Sequence, residues 1–290
     1  MTFVNYFRSY IIISILFVFS NLNAQVTAPY RYPQSDIVTI HSKILNEDRN
    51  IYIHCPKPDS TNLDNRFPVL YLMDGDNHFE LLAQYADYLS RPDLLAIPKM
   101  IIVGIPNTER RRDLTPTVSI SDYMGKPDTS NLMKPSGGND VFLKFINTEL
   151  IPAIDKKYKT KPYKIFAGHS FGGLSSINCM LTHPDMFDAY IAVSPSFWWD
   201  NRYLLKLADK KLPKGSTLNK MFFYSDGNEG GDSSFFHLDL LTFDSLISNK
   251  NLIGLNYMYK HYPTETHMTE PIVAYFDALR FIFKEWEIHQ

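Results

Sequence analysis

Short runs of apolar residues, recurring along the chain, constrain its fold more than any other feature. Five of them are continuously apolar and rich in β-branched or aromatic residues: "PVLYLM" (68–73), "MIIVGI" (100–105), "YKIFA" (163–167), "YIAVS" (190–194) and "MFFYS" (221–225). Runs of this kind are typical of strands that helices cover on both faces. Two earlier runs, 36–40 and 50–54, instead alternate polar and apolar residues, which indicates antiparallel, half-exposed strands at a sheet edge. A last strand is predicted over 255–260.

Helical patterns separate these runs. Apolar residues recur at helical spacing over 78–90, 140–158, 171–183, 235–248 and 271–286. Strands that alternate with helices predict an α/β fold, here a three-layer sandwich with a mostly parallel central sheet and antiparallel N-terminal edge strands. In such sheets the active site lies at the carboxyl ends of the strands.

Composition limits the domain count and the class of partner. A chain of 290 residues, 44% of them hydrophobic, can bury one large core, and no low-complexity linker divides it. We therefore predict a single domain over residues 25–290. The formal net charge of -2 gives no electrostatic reason to expect nucleic acid as a partner.

The N-terminus carries the pattern of a secretory signal peptide. Arg8 precedes the apolar run 10–19, and a short polar stretch then ends at Ala24. We predict that residues 1–24 are removed and that the chain is exported, to the periplasm or beyond, with no stable membrane insertion; an uncleaved anchor is the alternative. Two cysteines, Cys55 and Cys179, suit an exported chain that does not depend on disulfides, and the sequence leaves their pairing open.

The stretch "GHSFG" (168–172) follows one predicted strand and precedes a predicted helix. This context is that of a nucleophile elbow, in which a strained turn projects a serine above the sheet and flanking glycines admit the neighbouring backbones. The pattern alone is weak, and a plain strand–helix turn is the alternative. In this context we predict Ser170 as a nucleophile.

A serine nucleophile needs a base and a carboxylate that orients the base. His267 lies in a polar loop between the last strand and the closing helix, and is the predicted base, with His261 as the fallback. The loop after 221–225 supplies the acid, for which Glu229 is the first candidate and Asp226 the second.

The oxyanion hole of such an enzyme needs two backbone N–H groups. One is expected from Phe171, directly after the serine. The other is expected from Gly75 and Asp76, which follow the buried run 68–73, although a simple turn there is an equal alternative.

Several segments together resemble the putative-esterase family of α/β-hydrolases, which includes siderophore (enterobactin) esterases, esterase D and some feruloyl and acetyl-xylan esterases. The resemblance runs from about Ile37 to Trp286, through "FPVLYLMDGDNHF", "IIVGIPNTERRRDLTP", "FAGHSFGGLSSINCMLTHPDMFDAYIAVSPSFWWD", "YSDGNEGGD" and "THMTEP". It implies the α/β-hydrolase fold, Ser170 as nucleophile, His267 as base and Glu229 as the favoured acid. The siderophore-esterase branch is the most similar, and in that branch the acid can be displaced or dispensable.

The resemblance also places Arg110 by the cleft, where it would hold an anionic or polar substrate unless it forms a structural ion pair, for instance with Asp113. "SPSFWWD" puts Trp198 and Trp199 at a strand end. They are expected either to line a pocket for an aromatic acyl or catecholate group or to pack in the core.

These features predict a serine hydrolase that cleaves carboxylic esters through an acyl-enzyme, resembles the siderophore esterases and needs no metal or organic cofactor. The substrate would be a small-molecule or glycan-linked ester. One alternative is a feruloyl or acetyl esterase acting on plant polysaccharide. Another is a non-catalytic binding protein on the same fold, but the presence of Ser170, His267 and the acid loop argues against it. The oligomeric state is left open.

Overall fold

The computed structural model describes residues 35–57 and 66–285, which form one sheet of eight strands in the order β1-β2-β4-β3-β5-β6-β7-β8. The strands are β1 Ser35–Ser42, β2 Glu47–His54, β3 Phe67–Met73, β4 Ile101–Ile105, β5 Thr160–His169, β6 Ala189–Val193, β7 Thr217–Gly227 and β8 Ile253–Tyr262. The β1–β2 and β2–β4 pairs are antiparallel, and the other pairs are parallel. The predicted fold, including its antiparallel N-terminal edge, is confirmed.

Helices connect the strands and cover both faces of the sheet. They are α1 Gly75–Leu89, α2 Arg110–Leu114, α3 Asn139–Phe145, α4 Ile151–Lys157, α5 Phe171–Thr182, α6 Trp199–Lys211, α7 Phe235–Lys250 and α8 Glu270–Ile282. A π-helical segment, Ile146–Leu150, joins α3 to α4. It directly precedes the turn that holds Pro152, which has no N–H to continue the regular α-helical ladder.

The continuously apolar strands are buried on both faces, as predicted. In β3, Val69 and Tyr71 point into a core that α3, α5, α6 and α7 share, whereas Leu70 and Leu72 point into a core formed with α1 and α8. All four side chains are completely buried. The two cores make the three layers of the sandwich, which is why the strand sequences show no polar alternation.

A contact between two glycines sets the path of the chain where β5 meets α5. A Cβ atom on Gly168 would lie 2.3 Å from the backbone carbon of Gly172. The strand can therefore turn into the helix within a single residue, Ser170, only because Gly168 carries no side chain.

The predicted signal peptide, residues 1–24, lies outside the described residues, and so do parts of the predicted domain, 25–290. Both stay predictions. In the described ranges, none of the helices has the length and the apolar character that a bilayer span requires. Cys55 and Cys179 are free thiols, the first exposed and the second buried.

Substituting Gly168 by alanine tests the contact between the two backbones. We expect Gly168→Ala to lower the free energy of unfolding by about 3 kcal/mol, because the added methyl group meets backbone that cannot rotate away. Gly215→Ala is the control: a Cβ there meets nothing within 4 Å, and φ is +74°. That strain alone costs about 1–2 kcal/mol. Urea denaturation measures the free energy of unfolding of both variants. Equal decreases in Gly168→Ala and Gly215→Ala would contradict the steric explanation.

Candidate active site

Ser170 lies in a strained turn at the carboxyl end of β5. Its φ of 60° and ψ of -115° fall in a region that residues with a side chain rarely adopt. The turn is fixed on both sides, because the Ser170 N–H donates to the Val193 carbonyl at 2.9 Å and its carbonyl accepts from Leu174 at 2.9 Å. Such strain persists only where the surroundings hold it, and it is concentrated at functional sites.

A cavity of about 320 Å³ opens beside this turn. Its walls include Ser170, Ser196, Trp198, Glu229 and His267, from the ends of four different strands or the loops that follow them. The Ser196 hydroxyl lies 3.3 Å from the Ser170 hydroxyl. Parallel strands bring these distant parts of the sequence to one edge of the sheet.

His267 and Glu229 meet across two loops. The His267 Nδ1 atom is 2.9 Å from a Glu229 carboxylate oxygen, although that oxygen lies out of line with the ring N–H, so the two groups are in contact without a well-directed hydrogen bond. The two loops are joined by backbone, since Asn228 N–H donates to the Glu265 carbonyl at 2.6 Å. The structure thus brings together the predicted nucleophile, base and first-choice acid.

The two fallback residues contact each other instead. The Asp226 carboxylate accepts from His261 Nδ1 at 2.8 Å and from His237 Nδ1 at 2.6 Å. Asp226 is 3% exposed and lines the same cavity. Its two oxygens are occupied, so the loop acid next to His267 is Glu229.

The predicted oxyanion donors are the first residues of two helices. Phe171 begins α5, and Gly75 and Asp76 begin α1 after Asp74, which has the left-handed φ of 54°. The first N–H groups of a helix have no partner inside it, and the helix dipole makes this end positive.

The two helix starts lie close together, because a Cβ on Gly172 would be 3.1 Å from an Asp74 carboxylate oxygen. Gly75 is also required, since a Cβ there would be 2.6 Å from the backbone nitrogen of Ile105.

Arg110 forms the ion pair that the sequence analysis left open, but not with Asp113. Its Nε and Nη2 atoms donate to the two oxygens of Asp74 at 2.6 and 2.9 Å. Asp113 pairs instead with Arg49 and Arg112, each at 2.7 Å. The Arg110 guanidinium also lies 5.1 Å from the centre of the Phe171 ring, beside the serine turn. This bidentate pair links the start of α1 to α2.

The two tryptophans have different environments. Trp198 lines the cavity, and its ring lies edge-on to Tyr123 at 6.4 Å. Trp199 is completely buried, and its ring nitrogen donates to the Thr117 hydroxyl at 3.2 Å. Trp199 therefore packs in the core. Of the two tryptophans, only Trp198 can line a substrate pocket.

Two buried side chains beside the site, His169 and Glu270, were not predicted from the sequence. His169, directly before Ser170, packs against His267 with the ring centres 4.4 Å apart and the rings tilted by 43°, and burial holds the pKa of His169 well below the ordinary value, so this ring stays neutral. Glu270 is completely buried and accepts a hydrogen bond from the Ser194 hydroxyl. Burial raises its pKa to about 8. The only sequence signal for Glu270 is its place in "THMTEP", three residues after His267.

Several known proteins are similar to this chain. Residues 42–221 match the model of the family described as "Putative esterase". The ferri-bacillibactin esterase BesA of Bacillus subtilis is 30% identical over 196 residues, which are 64% of this chain and 67% of that protein. The siderophore enterobactin esterase of Emericella nidulans is 37% identical over 163 residues, 51% of this chain and only 52% of that protein. An IroE-like serine hydrolase from Shewanella oneidensis superposes with a TM-score of 0.81 at 33% identity, covering 87% of this chain and 81% of that one.

Glu270 should make the stability of the protein depend on pH. Its folded-state pKa of about 8 lies above the ordinary 4.5, so between these values the unfolded chain ionises Glu270 while the folded chain keeps its proton. The free energy of unfolding then falls as the pH rises through this window. Glu270→Gln removes the effect, and from about pH 5 to about pH 8 we expect the variant to gain a few kcal/mol relative to the wild type.

Urea denaturation at several pH values measures this difference. Glu80→Gln, at an exposed position of α1, is the control and should follow the wild type across the range. A Glu270→Gln variant whose stability runs parallel to the wild type at every pH would show that the buried carboxyl is ionised in the folded protein.

Proposed function

The chain belongs to the putative-esterase family of carboxylic-ester hydrolases, and from that premise we propose that it cleaves its ester through an acyl-enzyme formed on Ser170. One observation supports this assignment most. Ser170, in a strained turn, lines the same cavity as His267, whose ring contacts the largely buried carboxylate of Glu229. Acyl transfer uses this set of groups.

In the first half of the reaction, the Ser170 hydroxyl attacks the ester carbonyl and His267 accepts its proton. The ring nitrogen that takes the proton is Nε2, because Nδ1 faces Glu229. Glu229 offsets the positive charge that forms on the imidazole. His169, packed against the His267 ring, stays neutral and so adds no positive charge beside the imidazolium that forms.

The tetrahedral intermediate places negative charge on the former carbonyl oxygen. The N–H of Phe171 and an N–H of the Gly75–Asp76 turn stabilise this charge, aided by the positive ends of α5 and α1. The Asp74–Arg110 pair holds the start of α1 in place next to the serine turn. These donors are fixed before the substrate arrives, so little reorganisation is needed during the reaction.

Collapse of the intermediate breaks the ester bond. His267 returns the proton to the departing alcohol oxygen, and the acyl group stays on Ser170. In the second half, His267 takes a proton from water, the resulting hydroxide attacks the acyl-serine, and the acid leaves as Ser170 regains its proton. The overall reaction consumes one water and yields one alcohol and one acid.

For the substrate, we propose an ester of the siderophore type. Two similar proteins are named as esterases of bacillibactin and enterobactin siderophores. In this chain the cavity wall supplies aromatic surface from Trp198 and Tyr123, against which a flat aromatic acyl group can stack. Polar groups from Ser196 and Glu229 flank that surface.

Removing each of the two neighbouring serine hydroxyls in turn tests which of them is the nucleophile. Ser170→Ala should lower the hydrolysis of p-nitrophenyl acetate by at least about a thousandfold and abolish labelling by a fluorophosphonate. Ser196→Ala is the matched control, since its hydroxyl lies only 3.3 Å away. It should still be labelled. Labelling that survives in Ser170→Ala would refute the assignment, as would a wild type that is not labelled at all.

A panel of esters tests the substrate class. We expect kcat/KM for ferric and iron-free enterobactin to exceed that for methyl ferulate and for acetylated xylan by at least about tenfold, because only the first pair offers several aromatic acyl groups. Product release is followed by chromatography, with Ser170→Ala as the blank. A preference for acetylated xylan would favour the polysaccharide-esterase alternative.

A further inference from the structure

A second group of ionisable side chains lies beside the serine–histidine pair and has no part in the proposed reaction. Asp226 lies near the end of β7, His237 in the first turn of α7, and His261 near the end of β8. Each imidazole presents its Nδ1 atom to a different oxygen of the Asp226 carboxylate, at 2.6 Å for His237 and 2.8 Å for His261. The fold thus brings three separate elements to one point.

The three side chains form a compact and sheltered cluster. Their ligand atoms all lie within 4.8 Å of one another, and the two imidazole rings are 4.5 Å apart. The side chains of Asp226, His237 and His261 are only 4%, 13% and 26% exposed. A surface contact between a histidine and an aspartate has no such shelter: in the His41–Asp48 pair the exposed fractions are 62% and 69%.

We propose that Asp226, His237 and His261 form a binding site for a divalent first-row transition metal ion, of which Zn²⁺ is the representative case. Two imidazole nitrogens and one carboxylate are a ligand set that such ions favour. Ligand atoms about 2.0–2.2 Å from a tetrahedral ion lie about 3.4 Å from one another. The two N···O pairs here are at 2.6 and 2.8 Å and all ligand atoms lie within 4.8 Å of one another, so the side chains would have to shift to surround the ion evenly. The ion would take the place of the Nδ1 protons that face the carboxylate, and each neutral imidazole would then carry its single ring proton on Nε2.

The surroundings of the cluster favour a cation. Tyr259 donates its hydroxyl to an Asp226 oxygen at 2.9 Å, an outer contact of the kind that orients a metal-binding carboxylate. The carboxylates of Glu229 and Asp226 both lie near enough to Glu270 to act on its ionisation. Asp226 and Glu229 also line the same cavity, and a divalent ion at the cluster would offset the charge of the Asp226 carboxylate.

The proposed metal site would open into the cavity that holds Ser170. Asp226 lines the same cavity as Ser170, so coordination positions not filled by protein would face that space. The proposal goes beyond ester hydrolysis, because the steps assigned to Ser170, His267 and Glu229 need neither His237 nor His261. Binding of the ion is accordingly expected in a Ser170→Ala protein as well.

Metal titrations of matched variants test the site. The wild type and Ser170→Ala should each bind one equivalent of Zn²⁺ or Co²⁺, measured by competition with a chromophoric chelator and, for Co²⁺, by visible absorption. His237→Ala and His261→Ala should weaken binding at least about tenfold. His41→Ala, which removes the exposed histidine of another His–Asp pair, should bind like the wild type. Equal affinity in all variants, or no stoichiometric binding by the wild type, would overturn the proposal.

A measurement on the unaltered protein removes any dependence on how the variants fold. Long-range ¹⁵N–¹H spectra of the full chain, recorded with and without Zn²⁺, should show metal-induced shifts at the Nδ1 atoms of two histidines, because both rings present that nitrogen. Coordination through Nε2, or shifts confined to other histidines, would refute the assignment. Hydrolysis of p-nitrophenyl acetate, measured in parallel, keeps the fate of this proposal separate from that of the serine nucleophile.

Discussion

The approach of the β5 and α5 backbones at Gly168 and Gly172 is the constraint on which the rest of the site depends. With only 2.3 Å between an added Cβ and the facing carbonyl carbon, any side chain at Gly168 would push the helix away from the strand. Ser170 could not then occupy a one-residue turn, and Phe171 could not place its N–H beside the start of α1. The strain at Ser170 is tolerated because hydrogen bonds to Val193 and Leu174 fix the turn on both sides.

Buried carboxyl groups surround that turn, and each is accommodated differently. Asp74 is paired bidentately with Arg110, which ties α1 to α2. Glu270 keeps its proton, because burial raises its pKa to about 8. Asp226 is held by two imidazoles and a tyrosine hydroxyl. A buried charge without a partner costs several kcal/mol, so these pairings largely fix where the surrounding loops can lie.

The same geometry separates the residues that face the cavity from those that support it. Trp198 and Trp199 are adjacent in sequence, yet the first lines the cavity and the second is completely buried against Thr117. His261 lies near the end of β8 and His267 in the loop that follows, yet the first contacts Asp226 and the second Glu229. In both pairs the division of roles follows from the direction of the backbone, which neighbouring residue types do not reveal.

The sequence by itself determined the layered sheet, its antiparallel edge and the serine turn, because continuously apolar strands and flanking glycines are local patterns with a direct physical meaning. It also predicted, from chain order and strand ends, that the loops holding Glu229 and His267 meet at the edge of the sheet where Ser170 lies. Only the tertiary structure decided that Arg110 pairs with Asp74 and not Asp113, that Trp199 is in the core, and that Asp226 joins His237 and His261. The ion pair of Arg110 and the contacts of Asp226 join residues between 11 and 36 positions apart, and Trp199 contacts Thr117 across 82 positions. Such partners depend on how the elements pack, which no local pattern records.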